Sequence, residues 1–431
     1  MFDQVSHALI EENMRKPDVA VLDVRPTAAY NGWPLQDEPR GGHIHGAYSF
    51  PGEWLAHSDA DRIASLLLEK DIRSDKQIIV TGYDDISARA AANYLKRMGY
   101  GRIQIDSEGM LAWSKNAAKP LQKLPRYEHL VHPDWLAAVL NGDKPHAHPG
   151  GDFVLAHVNF DNWGDYQQGH IPGAIWLDTL ELEDEEHWNR RTAEELLDAM
   201  QQLGITADTT VILYGRSAHP DMSQDHPGKQ AGQLAAMRAA LLLLYAGVRD
   251  VRVLDGGLNA WLAAGYEITS DETEPSPISD FGATIPAHPE YVVHMADAKS
   301  MLANPNAELV SVRSWPEFVG DVSGYHYVAP RGRIPGAIFG NCGTDAYHME
   351  NYRNHDNTMR NYHEIAENWR QNDITSDKHI AFYCGTGWRA SEAFFSAWLM
   401  GWKHISIYDG GWYEWSADPD NPREIGDPAA F

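Results

Sequence analysis

Short apolar runs, each closed by a polar residue or a glycine, alternate along this chain with longer stretches whose apolar positions return every three to four residues. The short runs read as buried parallel strands and the longer stretches as amphipathic helices. The pattern is written three times in the same order, the mark of an internal repeat. A strand with a polar end appears as VAVLDVR to Arg25, FVLAHVN to Asn159 and ELVSVRS to Ser314. GGHIHGA from Gly41, QGHIPGA from Gln168 and RGRIPGA from Arg331 follow. A second strand then ends at Gly82, Gly215 and Cys384, and a last strand leads to Trp113, Trp261 and Trp415. Between them, RTAEELLDAMQQLG and AGQLAAMRAALLLLYAG carry helical spacing and close on Gly204 and Gly247, which suits a C-terminal cap.

Strands alternating with helices predict an α/β fold, a mainly parallel sheet with helices on both faces. The closing tryptophans lie 148 and 154 residues apart, so each copy is a whole domain and not a solenoid repeat. The predicted domains are 1–124, 125–278 and 279–431. Linkers are expected at Gln122 to Tyr127 and in the acidic, proline-rich stretch from Ser270. Ligands of such sheets bind beyond the carboxyl ends of the strands.

Composition narrows the partners. Hydrophobic residues make up 43% and charged residues 22% of the 431, as in ordinary globular chains. The longest apolar run, Ala239 to Tyr245, falls far short of the ~20 residues of a membrane span. A formal net charge of −26 repels nucleic acid and anionic membranes. Two cysteines, Cys342 and Cys384, exclude a disulfide framework and fit a reducing cytoplasm. The N-terminal stretch lacks the pattern of a secretory signal. Among 21 histidines no zinc spacing occurs, and no metal or other cofactor is expected. His43 and His170 recur within the repeat and are expected to brace the fold.

The chemistry points to the third copy, where the strand HIAFY runs into CGTGWRASEAFF. A tight turn leading into a helix aims successive backbone N–H groups at the loop's centre. Sulfur at the first position, as thiolate or persulfide anion, is stabilised by that field, and Arg389 adds a fixed positive charge. Gly82 and Gly215 stand where the other copies would need a thiol. A buried structural cysteine is the plain alternative. A dinucleotide fingerprint is a decoy: Gly385, Gly387 and Ala390 match G-x-G-x-x-A, with Asp409 24 residues beyond Gly385. Trp388 and Arg389 crowd that turn, and the 22 residues after Asp409 leave no room for the rest of such a domain.

The order DVR, HIPGA, strand–Cys–loop–helix and DGG-x-x-x-W resembles the tandem rhodanese-type sulfurtransferases over essentially the whole chain. The resemblance implies that Cys384 accepts sulfane sulfur as a persulfide and passes it on. Four residues separate Cys384 from Arg389, one fewer than in the related cysteine phosphatases. CGTGWR departs from the loops usual in thiosulfate and mercaptopyruvate sulfurtransferases. The segments from Gly340, from Ser323 and at Tyr30 (YNGW) are most similar to the rhodanese-like ergothioneine synthases of the anaerobic route. Those enzymes move sulfur from polysulfide to the imidazole of hercynine, a trimethylated histidine.

That resemblance implies a set of roles. Tyr325 acts on the imidazole ring, and Thr386 is a second ring contact. Gly385, Gly387 and Arg389 shape the loop around the substrate. A quaternary ammonium is best held by aromatic faces, and Trp315, Phe318, Tyr325, Tyr347, Tyr383, Trp388 and Trp412 are candidates, each equally able to be core except Trp388, which lies inside the catalytic loop. Glu317 either offsets the ammonium charge or caps a helix. Cys342 either resolves the persulfide or is a spectator. The loop from Ala218 is either a lid or an insertion. Transfer from thiosulfate or mercaptopyruvate to a thiol, cyanide or carrier protein is the second functional reading. A sulfur-carrier or docking protein is the third and a phosphatase the last, and a sulfur-donor protein is a further partner to test.

Overall fold

The computed structural model describes residues 2–14, 16–216 and 232–428; the loop at 218–228 lies outside them. The chain divides into two compact units, 1–128 and 129–431. The first holds one sheet, built from β1 (Asp3–Val5), β2 (Val19–Asp23), β3 (Tyr48–Ser49), β4 (Gln77–Thr81) and β5 (Ile103–Asp106). The second holds two. One comprises β6 (Leu130–Val131), β7 (Phe153–Asn159), β8 (Ile175–Asp178), β9 (Thr210–Tyr214) and β10 (Asp250–Leu254). The other comprises β11 (Val292–Val293), β12 (Ala307–Ser311), β13 (Ile338–Phe339), β14 (His379–Tyr383) and β15 (Ile405–Tyr408).

The spatial orders β1-β5-β4-β2-β3, β6-β10-β9-β7-β8 and β11-β15-β14-β12-β13 are one topology repeated. Every strand pairing is parallel. Helices cover both faces, so the central strands are apolar along their length, as the sequence pattern required. The fold is three α/β domains in tandem, the arrangement expected of rhodanese-like repeats.

Local devices repeat as well. His43 stacks on Tyr30 with ring centroids 3.7 Å apart, and His170 stacks on Tyr166 at the same separation. In the third copy Arg333 replaces histidine and lies over the Phe318 ring at 4.9 Å. The expected histidine braces are therefore present, and a cation–aromatic contact does the same work in the copy that lacks one. Antiparallel bridges His43–Gln122, His170–Thr269 and Arg333–Glu424 tie each copy's tail to its own HIPGA-like segment. The stretch at 122–127 is consequently not slack: Leu124 is buried and donates its N–H to Asn31. The stretch from Ser270 is irregular yet anchored, with Phe281 buried and its carbonyl bonded by Ala207.

Thr192 and Glu195 form a capping box at the start of the helix Ala193–Gln202, a device of about 1 kcal/mol. The helix Gly232–Ala246 behaves differently. Every residue from Leu234 to Ala246 is buried, Arg238 included. An all-round apolar helix must be covered on all sides, and this one lies between its own sheet and the equally buried helix Trp388–Leu399 of the third copy.

Candidate active site around Cys384

Cys384 follows β14 directly, at the carboxyl end of a central strand, and is fully buried. Gly387, with φ +90°, turns the chain into the helix Trp388–Leu399. Ser391 closes the turn, its N–H and Oγ both donating to the Gly387 carbonyl, at 2.9 and 2.8 Å. The DGG motif supports the loop from behind. Trp412 N–H donates to the Cys384 carbonyl at 2.8 Å and Tyr413 N–H to Gly385 at 3.0 Å. Gly411 permits this approach: its φ is +53°, and a Cβ there would stand 2.7 Å from the Cys384 carbonyl. Leu258 N–H to Gly215 at 2.9 Å and Met110 N–H to Gly82 at 2.8 Å repeat the brace in the other copies. The motif serves the loop whether or not the loop carries a thiol.

Arg389 lies buried beside the loop as the hub of a polar cluster. Its two terminal nitrogens each donate to Glu317, both at 2.9 Å. One also donates to the Tyr325 hydroxyl at 2.9 Å, and the other lies 3.3 Å from Cys342 Sγ. Glu317 further accepts from Arg313 at 3.3 Å and from the N–H and hydroxyl of Ser314. Burial alone would raise the Glu317 carboxyl, but Arg389, Arg313 and Ser314 outweigh it and hold the group at about 2. Burial pushes the Cys342 thiol up to about 12 against the pull of Arg389, which leaves it protonated and a poor nucleophile. Burial also raises the Tyr325 phenol well above its usual value, so it keeps its proton.

The Tyr325 ring lies against Gly385, where any side chain would collide with it. Tyr327 stacks beside it at 5.3 Å and 29°, and Tyr347 meets it edge-on at 5.9 Å. Tyr413 lies 6.5 Å from Tyr327. Burial raises the Tyr327 phenol, and the Thr386 side chain beside it pulls the other way. A wall of tyrosines therefore stands over the loop.

Several predicted contacts lie elsewhere. Glu317 is spent on two arginines and on capping its own helix with Ser314, so it does not face an ammonium group; of its two readings, the cap is correct. Trp412 is fully buried beneath the loop with its indole N–H on the Pro330 carbonyl. Tyr383 is likewise core. Trp315 and Phe318 group with Phe339 near Arg333. Trp388, although in the loop, turns toward the second domain: its indole donates to Glu183 at 2.8 Å and its edge meets Phe160. Aromatic content marks the right domain but not which faces line the site.

Residues the sequence did not single out are Tyr327, Tyr413 and a group from the second domain. Glu183 accepts from Arg238 Nε at 2.8 Å, and Arg238 pairs with Asp409 at 2.7 Å. Burial pushes the Glu183 carboxyl up to about 7 despite Arg238. Arg190 N–H donates to Asp409 at 2.8 Å, and Trp188 stacks on Tyr327 at 6.0 Å and 28°. Asp409, once the acidic candidate of a dinucleotide motif, is a buried interdomain ion pair. Tyr327 was visible only as the second tyrosine of SGYHYVAP, and the others meet partners far along the chain, from 55 residues for Glu183–Arg238 to 219 for Arg190–Asp409, with no local signal.

A buried cysteine at the carboxyl end of a central parallel strand, heading a glycine-containing turn into a helix with an arginine five residues on, defines a sulfur-handling site on an α/β domain. The rhodanese-like domain family matches residues 6–116, 133–264 and 294–418, and the chain belongs to that family. It is a sulfurtransferase. Among curated proteins it is 38% identical over 427 residues to the thiosulfate sulfurtransferase YnjE of Escherichia coli, covering 98% of this chain and 93% of that protein. Among solved structures it is 46% identical, with a TM-score of 0.96, to the anaerobic ergothioneine biosynthesis enzyme of Chlorobium limicola bound to its natural substrate trimethyl histidine. That match covers 99% of this chain and 100% of the other. A Tyr-to-Phe variant of EanB, with a cysteine persulfide in a tetrahedral intermediate state with ergothioneine, matches at 45% identity and TM-score 0.95, covering 99% and 100% of the two chains.

Proposed function

We propose that this enzyme moves sulfane sulfur from polysulfide, through a persulfide on Cys384, to the imidazole C2 of hercynine, giving ergothioneine. The observation that carries this reading is the convergence on the Cys384 loop of a protonated Tyr325 hydroxyl and a tyrosine wall. Arg389 donates to the Tyr325 oxygen, which leaves the tyrosine's own O–H to donate to a ring nitrogen of the acceptor. Thr386 offers a second ring contact. Tyr327, Tyr347 and Tyr413 present faces to a trimethylammonium group, which makes no hydrogen bonds of its own.

The sulfur balance is simple. Cys384 takes the terminal sulfur of polysulfide, leaving the donor one atom shorter. The C2–S bond then forms as the Sγ–S bond breaks, with its electron pair staying on Cys384. The hydrogen on C2 leaves as a proton. Gly385 and Gly387 let the loop close around that sulfur. The first two domains, 1–124 and 125–278, carry glycine at the equivalent loop position and are non-catalytic, leaving 279–431 as the catalytic domain. Two free cysteines suit a cytoplasmic setting, where polysulfide or a sulfur-donor protein supplies the sulfur.

Similarity to YnjE favours a second reading, thiosulfate as donor. Against it, both terminal nitrogens of Arg389 are already engaged by Glu317, so its guanidinium fork is not open to clasp a small dianion. The test incubates the protein with polysulfide and hercynine and follows the thioimidazole by mass spectrometry, beside a thiosulfate–cyanide assay. Thioimidazole formation with slow cyanide turnover is expected. Fast cyanide turnover without thioimidazole transfers the assignment to the second reading.

A further inference from the structure

The second domain touches the catalytic loop itself, and it does so through buried charged groups. Trp388 is the first residue of the helix after the loop, and its indole donates to Glu183 at 2.8 Å. Arg238 fixes Glu183 at 2.8 Å and donates to the Trp188 carbonyl at 3.2 Å. Its remaining nitrogen lies behind Gly387, where an added Cβ would come within 2.9 Å of it, and pairs with Asp409 at 2.7 Å. Glu183, Arg238 and Asp409 are all fully buried.

Adhesion between the domains does not require this arrangement, because the apolar helices Gly232–Ala246 and Trp388–Leu399 already supply it. Buried ion pairs add little to stability over an apolar contact, given the cost of desolvation. The same turn also holds Trp188 at φ +58°, in the left-handed region that bulky residues avoid. In that conformation its ring stacks on Tyr327, which stands beside Thr386. Loop residues 387 and 388 thus lie directly against Arg238 and Glu183, and Trp188 packs on the tyrosine beside residue 386.

We propose that the turn from Glu183 to Arg190 is a working part of the site, with Glu183 a positioning residue that sets the Cys384 loop through the Trp388 indole. The proposal rests on Cys384 being the sulfur carrier. Misplacing reacting atoms by about 1 Å costs on the order of a hundredfold in rate, so a small shift of the loop is enough to register.

The test compares wild type, Glu183→Gln, Trp388→Phe and the double variant. For each, the rate of sulfur loading on Cys384 from polysulfide is read by mass, and transfer to hercynine is resolved into kcat and KM. Each single variant is expected to lower kcat roughly ten- to a hundredfold while moving KM much less, and to keep a cooperative thermal transition. The double variant should be no slower than the slower single one, because both remove the same hydrogen bond. Multiplying losses, or a Trp388→Phe protein that loads and transfers at the wild-type rate, overturns the proposal. A wild type that loads sulfur but gives no thioimidazole overturns the acceptor assignment instead, and the positioning role is then decided by loading: equal rates in all four proteins refute it.

Discussion

Arg389 brings a full positive charge beside Tyr325 and Cys342, yet Glu317 answers it through two contacts of 2.9 Å. The groups left beside the Cys384 loop are tyrosine faces and hydroxyls. Cys384→Ser should abolish sulfur loading and transfer while leaving thermal unfolding near wild type, since a hydroxyl cannot carry sulfane sulfur; retained turnover removes the carrier role. Tyr325→Phe should load Cys384 normally but slow transfer to the ring by ~10²–10⁴-fold, the range for a lost general acid–base group. Equal slowing of both steps would place the hydroxyl in loading as well. Glu317 also makes a prediction in pH. Its folded value of about 2 lies below its ordinary 4.5, so its stabilisation is complete above about pH 4.5 and is lost as pH falls through 2. The shift corresponds to about 3 kcal/mol. Acid unfolding of Glu317→Gln should lack that component, and an unchanged acid limb would show that the pair contributes nothing net.

The loop element depends on a close backbone approach that only glycine allows. Gly411→Ala puts a methyl against the Cys384 carbonyl at a φ of +53°, which should cost ~1–3 kcal/mol and lower sulfur transfer. Calorimetry and turnover on the same sample check this, and wild-type values in both would mean the brace yields without consequence. At this scale much was readable beforehand. Strand runs, the HIPGA-like turns and the loop position of Cys384 recur in one fixed order, the order that the repeated sheet topology imposes. What escaped was direction. Trp315, Phe318 and Trp412 have the composition of a binding surface, but Phe318 and Trp412 are buried, and the exposed Trp315 groups with Phe318 and Phe339 instead. Nothing in a linear pattern tells a ring that faces a ligand from one that faces a sheet. Glu183 and Arg238 escaped for a different reason: beyond their own pair, their meaning lies in Trp388 and Asp409, which belong to another copy.

At the scale of the molecule, acceptor choice and domain arrangement meet. The tyrosine wall should favour hercynine over histidine by roughly tenfold for each 1.4 kcal/mol of cation–aromatic attraction that histidine forgoes, because an unmethylated ammonium stays strongly hydrated. Competition between the two acceptors, followed by product mass, measures it; equal use would mean that the wall does not read the methyl groups. The apolar helix Gly232–Ala246 carries a wider consequence. Its burial against Trp388–Leu399 means that neither domain presents a finished surface without the other. Gene fusion or recombination that moved residues 279–431 alone would strand two greasy faces in water, inviting aggregation and loss by proteolysis. Inheritance should therefore treat residues 129–431 as a single cassette, free to gain or shed neighbours but not to be cut between its two sheets.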